Sequence, residues 1–187
     1  MEATFKKNPR GIVFEGQEAG EEIILFLRPH VVTLVPFFMI TVFLIFAPVI
    51  FGLAARFFGG ELAFLSGGQK IILNIFWYLV VFAYAFYRFI FWYFNVYILS
   101  NERVVDFDFR GLLHKEVAYA KLNQIQDVSP KMIGFFSTFF HFGNVHIQTA
   151  AERPEFEFHH VARPDEVAHA ILENVRKEEG EPPGVIA

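Results

Sequence analysis

The stretch VVTLVPFFMITVFLIFAPVIFGLAA, residues 31–55, runs for 25 residues without a charged side chain. A helix rises about 1.5 Å per residue, so about 20 apolar residues cross the hydrocarbon core of a bilayer. A second stretch, IILNIFWYLVVFAYAFY, residues 71–87, is 17 residues long and equally free of charge. Carried past Arg88 to residue 94, it also reaches spanning length. The chain is therefore expected to cross a membrane twice, as a transmembrane helical hairpin. The spans are placed at 31–55 and 71–94, with a short connector at 56–70 that contains Gly59-Gly60 and Gly67-Gly68. Pro36 and Pro48 fall in the first span, where a membrane helix tolerates them better than a soluble one.

Working outward, the apolar excess is local. Of 187 residues, 54% are hydrophobic and 19% charged, against about 25% charged in an ordinary soluble domain. Phe occurs 26 times. Cysteine is absent, which excludes disulfides, zinc–thiolate sites and thiol nucleophiles. The first apolar run is too long for a signal-peptide core and no small-residue cleavage site follows it, so it reads as a retained anchor. Residues 1–30 form a polar N-terminal segment with five Glu, ending in the short apolar run IILFL at 23–27. That run is too short to span. It is either a strand or a segment lying at the bilayer interface.

Ring-bearing residues cluster in the second span. Trp77 and Tyr78 lie toward one end, Trp92 and Tyr93 toward the other, a spacing that fits two interfacial belts. The alternative is packing of some of these rings against the first span. Arg88 lies within the apolar pattern, close enough to its end to reach the headgroups. Trp77, Arg88, Trp92 and Tyr93 are the candidate interfacial anchors. Lys6, Lys7, Arg10 and Arg28 precede the first span, and Arg88, Arg103 and Arg110 end or follow the second. The connector offers only Arg56 and Lys70. Positive charge collects on the cytoplasmic side, so both termini and the soluble part are expected in the cytoplasm.

After residue 95 the pattern changes to alternation with period two. NVYILS (95–100), RVVDFDF (103–109), residues 114–120, 124–128, 145–149 and 155–159 read as strands, with turns at Asn101-Glu102 and Arg110-Gly111. Pro164-Asp165-Glu166 then opens a helix with acids at its positive end. Val167, Ile171 and Val175 make one apolar stripe on it. Residues 178–187 read as a disordered tail.

Strands followed by one terminal amphipathic helix follow the order of a pleckstrin-homology-like barrel. NVYILSNERVV (95–105), IQDV (125–128), FGNVHIQTA (142–150), GEEI (20–23) and RPH (28–30) resemble the bacterial membrane-anchored PH-domain family, over about residues 14–177. The resemblance implies an α+β fold: a transmembrane helical hairpin followed by a PH-like β-barrel, residues 95–177, capped by the C-terminal α-helix. It implies no reaction and supplies no catalytic residues.

Candidate sites are few. Seven His carry no spaced ligand set of the H-E-x-x-H kind, and adjacent His159 and His160 would point to opposite faces of a strand. The serines lack a G-x-S-x-G context and no phosphate loop is present. Neither metal nor cofactor is expected. Phosphoinositide recognition needs several cations at the first hairpin, which offers Glu102 and Arg103. Residues 95–187 hold nine Lys and Arg against 14 Asp and Glu, a net of −5 that disfavours an anionic leaflet and nucleic acid. Residues 132–142 stand out, with Met132, Ile133, Phe135, Phe136, Phe139 and Phe140. They are either core or an apolar contact for membrane or partner. The expected function is a non-enzymatic, membrane-anchored module that binds a protein or peptide at the membrane surface, with homo-oligomers possible. The alternative is an accessory of an envelope-stress or transport system acting through the hairpin, with Asn74 and Arg88 as polar contacts.

Overall fold

A computed structural model describes residues 4–9, 11–58, 65–109, 115–150 and 155–180. The expected turn at Arg110-Gly111, the strand start at His114, Gly59-Gly60 and tail residues 181–187 lie outside them. The chain divides into two compact units, residues 33–90 and residues 1–32 with 91–187.

The first of these is the helical one. A 3-10 turn, Val31–Leu34, leads into α1, Val35–Phe57, and α2 spans Gly67–Phe94. Both are long and apolar enough to cross a membrane. Neither is a buried core helix: among their described residues only Val81 is buried. Pro36 occupies the first turn of α1, where its missing N–H costs nothing, and Pro48 lies inside. α2 starts earlier than its apolar run. Ser66 and Gln69 cap it reciprocally: the Gln69 N–H donates to Ser66 Oγ at 3.3 Å, and the Ser66 N–H donates to Gln69 Oε1 at 2.8 Å. This capping box lets Gly67 and Gly68 sit in the helix instead of in the connector.

The other unit carries the strands. β1, Phe5–Lys7, and β2, Ile23–Leu27, precede the helices. β3, Val96–Ser100, β4, Arg103–Phe109, β5, Lys115–Lys121, and β6, Ile125–Lys131, follow them. A six-residue helix, α3, Phe135–Phe140, separates β6 from β7, Phe142–Thr149. β8, Glu155–Ala162, and α4, Pro164–Glu179, complete the chain. The strands form two antiparallel sheets, in the order β1-β2-β3-β4-β5 and β6-β7-β8. The short apolar run at 23–27 is thus a strand between β1 and β3, with Phe26 opposite Ile98 and Leu27 opposite Tyr97.

Burial explains why that run does not alternate. Leu25 and Leu27 face a core shared by both sheets, with Leu99, Val104, Ile147 and Phe158. Ile23 and Phe26 face a second cluster with Ile98, Val105 and Phe107, against which Ile12 and Phe14 pack. A strand buried on both faces reads as a continuous apolar run. Val167, Ala168, Ile171 and Val175 of α4 are buried in the shared core. The helix runs to Glu179, two residues past its expected end, and Gly180 at φ +76° closes it, its N–H donating to the carbonyls of Arg176 and Lys177.

Candidate functional site

The stretches that carried the family resemblance meet in pairs. GEEI and SNER form the first joint. The Glu21 carboxylate accepts from Ser100 Oγ at 2.6 Å and Arg103 Nε at 3.0 Å on one oxygen. Its other oxygen accepts from Arg103 Nη2 at 2.8 Å and from the Glu18 N–H at 2.9 Å. Arg103 Nη2 also donates to the Gly16 carbonyl at 2.7 Å. The Glu21 side chain is 0% exposed and that of Arg103 16%. Burial pushes the Glu21 carboxyl up, but the hydrogen bonds from Arg103, Ser100 and the Glu18 amide outweigh it and hold the group below the usual carboxylate range. Beside it the Asn101 N–H donates to the Glu22 carbonyl, and the Glu22 N–H donates to Asn101 Oδ1. Arg103, the cation at the first hairpin, is therefore committed to Glu21.

RPH and FGN form the second joint. Pro29 bridges to Val161, and the His30 N–H donates to the His160 carbonyl at 2.7 Å. The His30 ring stacks on Phe142 with centroids 5.4 Å apart, and Phe142 lies 6.2 Å from His160 on the same terms. Burial holds both imidazoles below the usual histidine range, and the His159 charge adds to this at His160. A neutral His30 suits its Nδ1, which accepts from the Val32 N–H at 3.2 Å. His159 and His160 do not point to opposite faces as expected. His160 sits at φ +54°, which breaks the strand alternation and leaves the two rings 6.3 Å apart.

Two of the four expected anchors belong to this joint. Trp92 Nε1 donates to the Pro29 carbonyl at 2.9 Å, and the Arg28 guanidinium lies 4.1 Å from the Tyr93 ring centroid. The points where the chain leaves this unit and returns to it are thereby pinned together. The other two lie earlier along α2. Trp77 Nε1 donates to the Leu44 carbonyl of α1 at 2.9 Å, and Tyr78 Oη donates to the Ile45 carbonyl at 3.3 Å. Arg88 is exposed. Asn74, expected as a polar contact, donates to the Lys70 carbonyl of its own helix. An apolar cleft of about 320 Å³ lies beside it, lined by Pro48, Phe51, Leu73 and Trp77 among others.

The Phe-rich stretch lies outside the core. Ile133, Phe135, Phe136 and Phe139 are 72, 76, 67 and 69% exposed, and Phe140 is exposed too. Met132 is half-buried, its Cγ 2.8 Å from where a Cβ on Gly143 would lie. The α3 rings touch one another: Phe135 stacks on Phe139 at 6.0 Å and meets Phe136 edge-on at 5.8 Å. Gly134 at φ +95° starts the helix and His141 at φ +54° ends it.

A cleft of about 670 Å³ opens beside α3. β1 contributes Phe5 and Lys7, α3 contributes Phe139 and Phe140, and His30, His141, Ala162 and Arg163 complete the lining. Lys7 and Arg163 both reach Glu166, at 3.1 and 3.2 Å, and these hydrogen bonds, that from Lys7 foremost, hold its carboxyl low. Of the four non-glycine residues with positive φ among those described, His141 and Arg163 line this cleft and His160 adjoins it. Backbone held in a sparsely populated conformation marks a place where function is worth seeking. Among the described residues no three His, Asp or Glu gather as a metal site.

The sequence model of a family described as "Bacterial PH domain" matches residues 31–175, which takes in both apolar helices, β3 to β8 and most of α4. GEEI and RPH lie upstream of the match. A crystal structure of a DUF1696 family protein with a pleckstrin-homology domain, from Shewanella loihica PV-4, is 14% identical. The alignment covers 44% of this chain and 68% of that one, with a TM-score of 0.31. No curated protein matches.

Proposed function

The chain belongs to the bacterial PH domain family, and from that premise we propose that it is a membrane-anchored interaction module. α1 and α2 anchor it as a transmembrane hairpin. The two sheets close as a PH-like barrel with α4 filling one end, and the barrel binds an extended segment of a protein partner at the membrane surface. Positive charge flanking the helices supports a cytoplasmic position for this unit and both termini in this reading. The family is generally non-catalytic, and no catalysis is proposed.

One observation carries the binding role: β5, seven residues long, ends the five-stranded sheet among the described residues. An edge strand offers a row of backbone donors and acceptors to which a partner segment can add as a further strand. Lys115 and Lys121 sit at its two ends. Charges there discourage indiscriminate edge pairing while leaving the middle open. Tyr119, exposed at mid-edge, gives such a partner a ring to rest on. Anchoring raises the effective concentration of neighbours in the same membrane, so modest affinity suffices.

The test is a photo-crosslinking side chain in place of Tyr119 in the full chain, irradiated in native membranes. A discrete protein adduct is expected, absent when the crosslinker replaces exposed Glu173 on α4. Lipid adducts alone, or the same adducts from both positions, would defeat the edge-binding reading.

A further inference from the structure

We infer that the exposed apolar face of α3, with Ile133 just before it, is buried in the lipid interface of the bilayer that holds α1 and α2, so that its occupant is lipid and not a protein partner. The inference rests on the membrane anchoring proposed above. It goes beyond it by assigning a second, independent membrane contact to the strand-bearing unit.

Position is the first argument. Phe139 and Phe140 line the same cleft as His30, the residue immediately before the first apolar run. Phe142, two residues past the end of α3, stacks on the His30 ring. The Trp92–Pro29 hydrogen bond fixes the returning chain at that same place. α3 therefore belongs to the part of this unit from which the chain passes into its apolar helices.

Tether length is the second. Three residues separate β2 from the 3-10 turn, and Asn95 alone separates α2 from β3. An extended chain spans at most about 3.6 Å per residue, so these links reach roughly 4–11 Å. Links this short keep the residues at which the chain enters and leaves the apolar helices, His30 and Asn95 among them, next to the membrane surface that those helices are proposed to cross.

The third argument is chemical. Protein hot spots favour Trp, Tyr and Arg, whose polar ends fix a partner's orientation. The large exposed side chains of this face are Phe and Ile, none of which has a polar end. Its one exposed hydroxyl, Thr138 Oγ1, donates to the Gly134 carbonyl at 3.2 Å and so needs no water. Lys7 and Arg163, on the cleft at the edge of the face, suit the headgroup level. Both pair with Glu166, so contact draws on apolar burial more than on lipid charge. The net acidity of residues 95–187 is then no obstacle.

The chain has no cysteine, so Phe136→Cys provides a single thiol. The full chain, labelled there with an environment-sensitive fluorophore, is reconstituted into nanodiscs of neutral phosphatidylcholine with or without bromine on the acyl chains. Quenching by brominated lipid is expected, unchanged at high salt, and stronger for bromine near the headgroup end, because an interfacial helix sinks only about 5–10 Å. Phe139→Cys should behave alike, and Glu173→Cys on α4 should not be quenched. A chain that enters the discs but keeps both α3 labels in water, or is quenched equally at position 173, overturns this inference and leaves the anchoring reading intact. A chain that does not enter the discs overturns both.

Discussion

Replacing Arg103 with Met tests whether the Glu21–Arg103 joint is structural. The substitution keeps the apolar stem of the side chain and removes three hydrogen bonds, two of them to a carboxylate with no solvent exposure. Removing one partner of a buried pair costs about 3–5 kcal/mol, because the other charge stays buried. Ser100 Oγ and the Glu18 N–H still reach Glu21, so the lower end applies, about 3 kcal/mol. At about 1.36 kcal/mol per factor of ten, amide exchange in β3 and β4 should speed up roughly 150-fold. Hydrogen exchange read by mass spectrometry on the full chain in detergent measures this locally, unaffected by the apolar helices.

The same change has a pH signature. In the native protein the folded Glu21 pKa is depressed, so its stabilisation is complete above the unfolded value near 4.3 and is lost as pH falls through the folded value. Without Arg103, burial dominates and the carboxyl takes up a proton more readily. The gap between native and variant should therefore be widest at pH 7 and narrow toward pH 4. Adding Glu21→Gln to Arg103→Met should recover part of the loss at pH 7, since an amide needs no cation. A gap below about 1 kcal/mol, the size of a surface pair, or one unaffected by pH, would refute the reasoning.

Five further outcomes are expected. A Cβ on Gly143 would lie 2.6 Å from the Lys131 carbonyl oxygen, so Gly143→Ala should cost about 1–3 kcal/mol, seen as faster exchange in β6 and β7. Ile171 of α4 is fully buried, so Ile171→Asp should cost about 4 kcal/mol or more and expose the strand-bearing unit to limited proteolysis. His30 and His160 have folded pKa values below the unfolded value of about 6.5, so stability present above that pH should decline as pH falls through the folded values, and His30→Gln should flatten the decline. The chain should stay in the membrane pellet after a high-pH carbonate wash, and a reporter enzyme active only in the periplasm should be silent when fused after Lys177.

Where burial is one-sided, structure was legible in the residues. α4 followed from the Val167, Ile171, Val175 stripe, because one face packs and the other is solvated. β4 followed from alternation and from the turn at Asn101-Glu102. β2 was ambiguous for the opposite reason: both faces are covered, so IILFL carries no period. β1 is three residues long and has no pattern of its own. The start of α2 was misplaced because Gly67-Gly68 reads as a break, although Ser66 and Gln69 held the capping signal. The Phe-rich stretch was conspicuous by composition alone. Its exposure was not legible, because a helix of six residues is too short for periodicity to separate core from surface.

The two joints bear on how such a chain can fold at all. β2 and β3 are neighbours in one sheet, yet residues 28–95, with both apolar helices, lie between them in sequence. Closing a long loop costs only about (3/2)RT ln n, but that cost falls before any strand contact repays it. A hairpin of apolar helices formed first would bring residues 30 and 95 near each other and remove most of it. The Trp92–Pro29 bond, the Arg28–Tyr93 contact and the His30–Phe142 stack then sit where that closure has to be held. The Glu21–Arg103 pair fixes register at the far end of the same strand pair, where Ile23 lies opposite Ser100. Register demands such a device here because IILFL, apolar on both faces, would lose little burial on slipping by one residue. A buried ion pair that contributes modestly to stability can still decide which pairing forms.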